Sequence, residues 1–423
     1  MNSNDEIEDN SMLYVSFNQD NSFFSVGTER GFRIYQTYPF IEPYEKIMNG
    51  GIGVVEMLYK SNFLALMGGG KVPKYNKNKL IIWDDHENKI IGELKFTTSI
   101  MNIKLKKDLL FVVCRKNIYI FDFNTYEIID TIDTGDNIKE LIAINSSPEL
   151  TVLAYPSIKG VNKITIRNFK TKISVTFSVQ DDSISKMSIN NNGTLIATSN
   201  ENGTIIRIHS CSDGAFLQEF KRGHEKAKIN YICFDNDTKL MAVSSSRGTI
   251  HIFSMGSTIK KLKEHEKKKE IEKKEKENKN GEKNTNIEKK IKEEDQEKKD
   301  KDNNNNKIKI EEKEKEENKD DIDINNENII NNDENNNNSE LKNEEELPEN
   351  IKTFFGGIFG LQTEKSFAKV RIKSQDSICA FTKNNILVII SSDNKYYQAL
   401  IDIKKGGDCK IIFEDYLIKQ SNK

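Results

Sequence analysis

The sequence lacks the features that mark several common protein classes. No run of about 20 apolar residues occurs, which argues against a membrane-spanning helix. The first ten residues, MNSNDEIEDN, have no apolar core and do not resemble a signal peptide. The five cysteines are scattered without a CxxC pair, so free thiols in a reducing cytosol are expected. A formal net charge of −2 gives no reason to expect binding to nucleic acid or to an acidic substrate.

Signals for catalysis and for metal binding are also missing. The stretch MGGGKV is similar to a phosphate-binding loop, but Ala65 stands where the leading glycine would be. Val72 replaces the Ser or Thr that would hold magnesium. The five histidines show no metal-ligand spacing. We therefore expect no enzymatic activity, no metal and no cofactor.

One long segment differs in composition from the rest of the chain. From Ile259 to Asn350 the residues are almost entirely Lys, Glu, Asp, Asn and Ile. Such a segment buries too little apolar surface to offset its ordering entropy, so it is predicted to be disordered. The Lys runs are interleaved with Glu and have no stacking aromatics, which argues against nucleic-acid binding. Roughly 330 residues remain outside the segment, enough for one large domain.

The remaining residues form a repeat of short strands and turns. The stretches FFSVGTERGFRIY, TLIATSNENGTIIRIH and KLMAVSSSRGTIHIF each join an apolar run to an alternating strand through a glycine turn. Gly203 and Gly248 are about 45 residues apart, the period of a propeller blade. The sequence thus predicts an all-β, seven-bladed β-propeller with the charged segment inserted in the sixth blade. The expected divisions are a flexible N-terminus (1–10), blades 1–6 (11–258), the insert (259–350), and the end of blade 6 with blade 7 (351–423).

Two basic residues lie between the two Gly-Thr turns. Lys221 and Arg222 follow each other on an extended segment, so their side chains point to opposite faces. They are therefore placed to serve two sites, one beside each neighbouring blade. The Gly-Thr turns and nearby hydroxyl groups supply hydrogen-bond donors suited to phosphate oxygens.

These motifs resemble those of the PROPPIN family, whose animal members are the WIPI proteins. The family hallmark, Phe/Leu-Arg-Arg-Gly, is met here as Phe220-Lys221-Arg222-Gly223. The stretches SFNQDNSFFSVGTERGFRIY and INYICFDNDTKLMAVSSSRGTIHIF are similar to family segments in the same order. The resemblance implies a seven-bladed propeller that binds phosphatidylinositol 3-phosphate or the 3,5-bisphosphate in autophagy. It also implies two lipid sites, one for each basic residue of the hallmark.

The resemblance assigns five residues to each lipid site. The second site would consist of Arg222, Ser245, Arg247, Thr249 and His251. The first site would consist of Lys221, Gln180, Asn200, Gly203 and Thr204, of which three depart from the family pattern. A lysine keeps the charge but loses the bidentate fork of arginine. We therefore predict a strong second site and a weak first one.

Two further contacts are expected from the resemblance. The stretch IKTFFGGIFGLQ ends the insert, and its apolar residues Phe354, Phe355, Ile358 and Phe359 would enter the bilayer. The same stretch could instead be a strand that returns to the core. The stretch FNQD, with Asn18 and Asp20, lies in a candidate loop for partner proteins.

The leading functional hypothesis is a monomeric, membrane-recruited adaptor. It would bind phosphoinositides on phagophore, endosomal or vacuolar/lysosomal membranes and bring in an autophagy lipid-transfer protein or other autophagy proteins. The alternative is a protein–protein scaffold with little or no lipid binding.

Overall fold

The described chain folds into seven sheets of antiparallel strands. The computed structural model describes residues 11–41, 43–275 and 363–418. Each of the seven sheets contains the four strands of one blade in chain order, and two sheets carry an additional short strand. The predicted seven-bladed β-propeller is confirmed.

The strands of each blade follow one another along the chain. Blades 1 to 3 contain β1 (Met12–Phe17), β2 (Phe23–Thr28), β3 (Gly31–Gln36), β4 (Tyr44–Ile47), β5 (Ile52–Met57), β6 (Phe63–Gly68), β7 (Lys79–Asp84), β8 (Lys89–Lys95), β9 (Ile100–Leu105), β10 (Leu109–Cys114), β11 (Asn117–Asp122) and β12 (Ile128–Asp133). Blades 4 and 5 contain β13 (Ala143–Ile144), β14 (Val152–Pro156), β15 (Lys163–Asn168), β16 (Ile173–Ser178), β17 (Ile184–Ile189), β18 (Leu195–Asn200), β19 (Ile205–Ser210) and β20 (Phe216–Lys221). Blades 6 and 7 contain β21 (Ile229–Phe234), β22 (Leu240–Ser245), β23 (Thr249–Ser254), β25 (Ala368–Arg371), β26 (Ser377–Phe381), β27 (Ile386–Ser391), β28 (Lys395–Leu400) and β30 (Lys410–Tyr416).

The second strand of each blade is largely buried. Strands β6 (FLALMG), β10 (LLFVVC) and β27 (ILVIIS) are almost completely buried. Each blade is covered on both faces by its neighbours, so residues pointing in either direction meet a core. This is why these strands form continuous apolar runs, whereas the outer strands alternate with polar residues.

Side chains join the first blade to the last. Blade 1 uses only β1–β4, and blade 7 uses only β26–β28 and β30, so neither borrows a strand from the other terminus. The Tyr35 hydroxyl donates to the Leu417 carbonyl at 2.6 Å, and the Tyr396 hydroxyl donates to the Thr37 carbonyl at 2.7 Å. Stacked rings of Phe24 and Tyr35, 4.8 Å apart, fill the same seam. Buried hydrogen bonds and aromatic packing therefore close the ring.

The insertion separates two neighbouring strands of blade 6. Strand β23 pairs with β25 although more than a hundred residues lie between them. Two short strands cover outer edges: β24 (Glu364–Lys365) runs parallel to β20, and β29 (Gly407–Asp408) runs parallel to β25. The predicted position of the insertion is confirmed.

The start of the insertion is helical, which corrects the prediction of disorder from Ile259 onward. Residues 256–275 form helix α1, and of these 262–275 belong to a second compact unit (Leu262–Asn343). Lys and Glu dominate this part, and both have high helix propensity and form favourable pairs four residues apart. The rest of the predicted insert, 276–350, lies outside the described residues. No helix among the described residues is long and apolar enough to cross a bilayer.

Candidate functional site

The two Gly-Thr turns lie on the same side of the propeller as the Lys-Arg pair. In an antiparallel blade, the loop from the second to the third strand and the link from the fourth strand to the next blade are at the same end. The loops 201–204 and 246–248 are of the first kind, and the link 222–228 is of the second. The fold thus brings three sequence motifs to one face, which we call the binding face.

Both turns need glycine. Gly203 and Gly248 have φ values of 60° and 68°, in the left-handed region that favours glycine. A Cβ on Gly203 would lie 2.0 Å from the Ala227 carbonyl oxygen, and one on Gly248 would lie 2.5 Å from the Ile372 carbonyl oxygen. The backbone of the neighbouring segment approaches each turn too closely for a side chain, which explains why blades 5 and 6 both have glycine there.

Arg222 is buried and held by backbone carbonyls. Only 6% of the residue is exposed. Its Nε donates to the Gly203 carbonyl at 2.7 Å, and its Nη2 donates to the Glu225 carbonyl. Among residues 11–41, 43–275 and 363–418 the other N–H groups of this guanidinium have no hydrogen-bond partner, and no carboxylate pairs with it. The side chain is therefore fixed in place with donors left for a ligand.

Arg222 lies beside the side chains of blade 6 that the sequence assigns to the second site. The charge of Arg247, after burial, lowers the pKa of Arg222, which shows that the two guanidinium groups are close. Arg247 itself is half-exposed and forms an ion pair with Glu225. His251 is near enough for the charge of Arg222 to lower its pKa. The structure thus brings Arg222, Arg247 and His251 together.

Two further cations of this cluster were missed by the sequence analysis. Strand β25 pairs with β23 so that Arg371 is opposite Thr249 and Lys369 is opposite His251. Directly opposed residues of an antiparallel pair point to the same face. Phe253 is two residues after His251 on β23 and therefore points to the same face. Its ring is 5.0 Å from that of Phe220 on β20, so this face is turned towards blade 5.

The charges of this cluster act on His251. Burial and then the charges of Arg222, Lys369 and Arg371 lower the pKa of His251 to about 4, so the imidazole is neutral at physiological pH. Its Nδ1 lies 3.2 Å from the Ser366 hydroxyl. We call Arg222, Arg247, His251, Lys369 and Arg371 the basic cluster.

Ser245 is placed as a turn residue. It is buried, and its hydroxyl donates to the Thr249 carbonyl at 3.3 Å. Thr249 is only partly buried and stands next to Arg371. Of the two hydroxyl residues predicted for the second site, the structure leaves Thr249 accessible and uses Ser245 to hold the turn.

The residues predicted for the first site are engaged with one another or with the backbone. Gln180 is buried and donates to the carbonyl and hydroxyl oxygens of Thr198, at 2.8 and 2.9 Å. The Asn200 side chain accepts the Gly203 N–H at 3.0 Å, and the Thr204 carbonyl accepts the Arg222 N–H at 2.8 Å. Gln180 is therefore structural, which corrects its assignment as a ligand-binding group, whereas Asn200 is partly exposed and its role in ligand binding stays a prediction.

Lys221 has a neighbouring cation that is already paired. Lys221 is opposite Ile205, on the sheet face that carries Arg207. Arg207 binds both carboxylate oxygens of Asp181, at 2.8 and 2.6 Å, and its Nε donates to Glu219 at 3.1 Å. Arg207 is opposite Glu219 on the fourth strand of blade 5, as His251 is opposite Lys369 on that of blade 6. The sequence did not show this equivalence, because Arg207 is four residues after its glycine and His251 only three.

The candidate partner loop is only partly available. Asn18 is 3% exposed, accepts the Phe23 N–H at 3.0 Å and donates to the Tyr59 carbonyl at 3.0 Å. This corrects its assignment as a partner contact. Asp20 is partly exposed and pairs with Lys60 at 3.2 Å.

The remaining predicted site residues, Phe354, Phe355, Ile358 and Phe359, lie outside the described residues. In the described part of the chain, no three His, Cys, Asp or Glu side chains are grouped so that they could hold a metal ion.

Comparisons with known proteins agree with this architecture. Autophagy-related protein 18e of Arabidopsis thaliana is 34% identical over 251 residues, which are 58% of this chain and 66% of that protein. Autophagy-related protein 18 of Komagataella pastoris is 32% identical over 290 residues, covering 60% of this chain and 53% of that protein. SVP1-like protein 2 of Schizosaccharomyces pombe is 35% identical over 258 residues, 60% of this chain and 71% of that protein. The chain thus spans about half to two thirds of the first two relatives.

Solved structures share the fold at low sequence identity. Kluyveromyces lactis Hsv2 with complete loop 6CD gives a TM-score of 0.63 at 19% identity, over 97% of this chain and 100% of the other. The complex of KlAtg21 with the coiled coil of AgAtg16 gives 0.62 at 18% identity, over 96% of this chain and 99% of the other. A model of the PROPPIN family matches residues 11–268, more than half of the sequence. The chain belongs to the PROPPIN family of autophagy-related β-propellers.

Proposed function

We propose that the protein is a phosphoinositide-binding adaptor that recognises phosphatidylinositol 3-phosphate, the 3,5-bisphosphate, or both. The observation that carries this proposal is the basic cluster on the binding face. The charges of Arg222, Lys369 and Arg371 act on a neutral imidazole, and Arg247 lies close to Arg222. Two of these four cations have a carboxylate partner: Arg247 pairs with Glu225, and Lys369 pairs with Asp408 at 3.6 Å. A phosphate ester carries about −1.5 to −2 charge at neutral pH and offers three acceptor oxygens.

The geometry of Arg222 suits a doubly hydrogen-bonded phosphate. Its two backbone hydrogen bonds fix the guanidinium plane, so little side-chain entropy is lost when a ligand binds. Arg247 is paired with an exposed carboxylate, an interaction that contributes little in water and can be exchanged for a phosphate. Lys369 and Arg371 add charge on the neighbouring strand. Charge-assisted hydrogen bonds to phosphate are about twice as strong as neutral ones.

We propose that the second site is dominant. On the other face of β20, Lys221 is the cation without a carboxylate partner among the described residues, since Asp181 and Glu219 occupy Arg207. A phosphate bound to Lys221 could gain Arg207 as a second cation only by displacing Asp181 from its bidentate ion pair with Arg207. The first site is therefore expected to be weak, as the replacement of arginine by Lys221 already suggested.

Firm membrane attachment needs more than one head-group contact. We propose that an apolar wedge enters the bilayer and consists of Phe354, Phe355, Ile358 and Phe359. The alternative is that this stretch forms a strand that returns to the core. Two contacts with the same membrane strengthen each other through effective concentration. Membranes of the phagophore, the endosome and the vacuole or lysosome are the proposed locations.

The partner proteins are proposed from the relatives. Two curated relatives are named autophagy-related proteins, and the KlAtg21 structure contains a coiled coil of AgAtg16. We propose that this chain, as a monomer, brings autophagy proteins such as a lipid-transfer protein to the membrane and has no catalytic activity of its own. Asp20 remains a candidate contact in the partner loop.

Vesicle flotation with a variant of Lys369 and Arg371 tests the lipid proposal. This variant leaves the buried Arg222 unchanged. Vesicles of phosphatidylcholine with and without phosphatidylinositol 3-phosphate are compared. Each basic residue near an anionic surface contributes about 1 kcal/mol, so Lys369→Ala/Arg371→Ala should lower lipid-dependent binding about thirtyfold. The control, Lys89→Ala/Lys95→Ala, removes two positive charges from the outer strand of blade 2 and should bind like the wild type. Equal losses in both variants would show that binding is merely electrostatic.

The second candidate function is a protein–protein scaffold. The observation in its favour is the occupied first site, where Arg207 and Gln180 are engaged within the fold. If the wild-type protein does not float with phosphatidylinositol 3-phosphate vesicles, the scaffold is the better description.

A further inference from the structure

The three most exposed large aliphatic side chains of the described residues occur close together. Val161, Ile158 and Ile138 are 76%, 65% and 60% exposed. Ile158 and Val161 are in the loop 157–162 of blade 4, and Ile138 is in the link 134–142 from blade 3 to blade 4. A Cβ on Gly135 would lie 3.8 Å from the Cγ2 of Ile158, so the two loops are in contact. We call Ile138, Ile158 and Val161 the apolar cap.

The apolar cap is on the binding face. The loop 157–162 joins the second and third strands of its blade, as do the two Gly-Thr turns. The link 134–142 joins two blades, as does the link that begins with Arg222. All these loops therefore lie at the same end of the propeller.

Direct contacts connect the apolar cap to the loop that holds Arg222. The Val161 carbonyl accepts the Ile184 N–H at 3.2 Å. Lys139, next to Ile138, donates to the Ile184 carbonyl at 2.9 Å and forms an ion pair with Glu201. Glu201 is in the turn whose Gly203 carbonyl accepts the Arg222 Nε. The cap is thus linked to Arg222 by a short chain of hydrogen bonds and one ion pair.

The chemistry of the cap fits a lipid surface better than a protein partner. It consists of single aliphatic side chains at loop tips, without the Trp, Tyr or Arg that dominate protein interfaces. Lys116 and Lys163 flank it, and long basic side chains at an interface can keep their ammonium groups in water. Asp136 and Glu201 nearby are paired with Arg115 and Lys139, so their charges are compensated.

We propose that the apolar cap enters the outer layer of a bilayer when the basic cluster binds a lipid head group. The inference rests on the proposed function, because the basic cluster brings the cap to the membrane. It gives the propeller a bilayer contact on blade 4, separate from the segment 351–362. The partner is an anionic lipid surface.

The experiment uses the full chain and phosphatidylcholine vesicles with and without phosphatidylinositol 3-phosphate. The variant Ile138→Ser/Ile158→Ser/Val161→Ser should lower vesicle binding at least about tenfold, the factor for burying one aliphatic side chain. Its binding to soluble inositol 1,3-bisphosphate should not change. The control, Ile41→Ser/Ile90→Ser, alters exposed isoleucines of blades 1 and 2, away from blades 4 to 6, and should bind normally.

A fluorescent label reports insertion directly. An environment-sensitive nitrobenzoxadiazole on Val161→Cys, with Cys409→Ser to remove the one native thiol that is not buried, should brighten on vesicles that contain the phosphoinositide. If the wild type binds these vesicles but the label does not change and the triple serine variant binds equally well, the inference is wrong and the proposed function stands. If the wild type shows no lipid-dependent binding, both are wrong.

Discussion

His251 makes lipid binding dependent on pH in a direction that can be calculated. In the free protein its pKa is about 4, because it is buried and faces Arg222, Lys369 and Arg371. A bound phosphate carries negative charge and offsets these cations, so the pKa of His251 should return towards 6.5. Between these values the complex takes up a proton that the free protein does not bind, and affinity rises as the pH falls.

The size of the effect follows from the two pKa values. If a bound phosphate returned the pKa of His251 from about 4 fully to 6.5, the contribution of His251 to affinity would be roughly twentyfold larger at pH 5 than at pH 7. Burial is the largest cause of the low pKa and persists in the complex, so about twentyfold is the upper limit of the effect. The phosphate monoester loses charge over the same range, since its second pKa is about 6. The wild type is therefore compared with His251→Asn at each pH, because the phosphate affects both proteins equally.

The assay is vesicle flotation with phosphatidylinositol 3-phosphate at pH 5, 6 and 7. Calorimetry with soluble inositol 1,3-bisphosphate in two buffers of different ionisation enthalpy measures the proton uptake. The folded pKa of His251 lies below its unfolded value, so its contribution to stability is present above about pH 6.5 and is lost as the pH falls towards 4. Thermal unfolding at each pH therefore accompanies the binding data. The same pH dependence in wild type and His251→Asn would refute a contact between His251 and the phosphate.

Three other predictions concern the hallmark pair, the apolar segment and the insert. Arg222→Ala should weaken phosphoinositide binding far more than Lys221→Ala in flotation, since Arg222 lies in the basic cluster; equal losses would contradict a dominant second site. Phe354→Ser/Phe355→Ser should raise the rate of dissociation from vesicles in stopped-flow measurements without changing affinity for soluble inositol 1,3-bisphosphate, and an unchanged rate would exclude the wedge. Deletion of 276–350 should leave the melting temperature of the propeller nearly unchanged by calorimetry, because loop entropy grows only with the logarithm of length; loss of the cooperative transition would show that the insert is part of the fold.

The fold could be predicted because its signals are local. A left-handed glycine between two strands, as at Gly203 and Gly248, is a steric requirement of the turn and recurs with the blade. Burial on both faces makes several second strands continuous apolar runs, as in β10. Helix α1 was missed because its Lys and Glu residues resemble those of a disordered segment, and composition alone does not separate the two cases.

The candidate site could be predicted only where its residues are near a motif. Arg222 is in the hallmark motif and Arg247 directly precedes Gly248, so the sequence could suggest both. Lys369 and Arg371 reach the cluster only through the pairing of β23 with β25, across an insertion of more than a hundred residues. Asn18 was misassigned because a polar loop residue can equally well satisfy the backbone of its own turn.

The cluster itself shows why this position is suited to an anion. Bringing Arg222, Arg247 and Arg371 together costs free energy, since like charges repel and Glu225 balances one of them. The low pKa of His251 has burial as its first cause, and the charges of Arg222, Lys369 and Arg371 lower it further because they oppose another positive charge. A phosphate relieves that repulsion only in the folded state, where β20, β23 and β25 hold the cations together. Binding should therefore stabilise the propeller as well as locate it on a membrane.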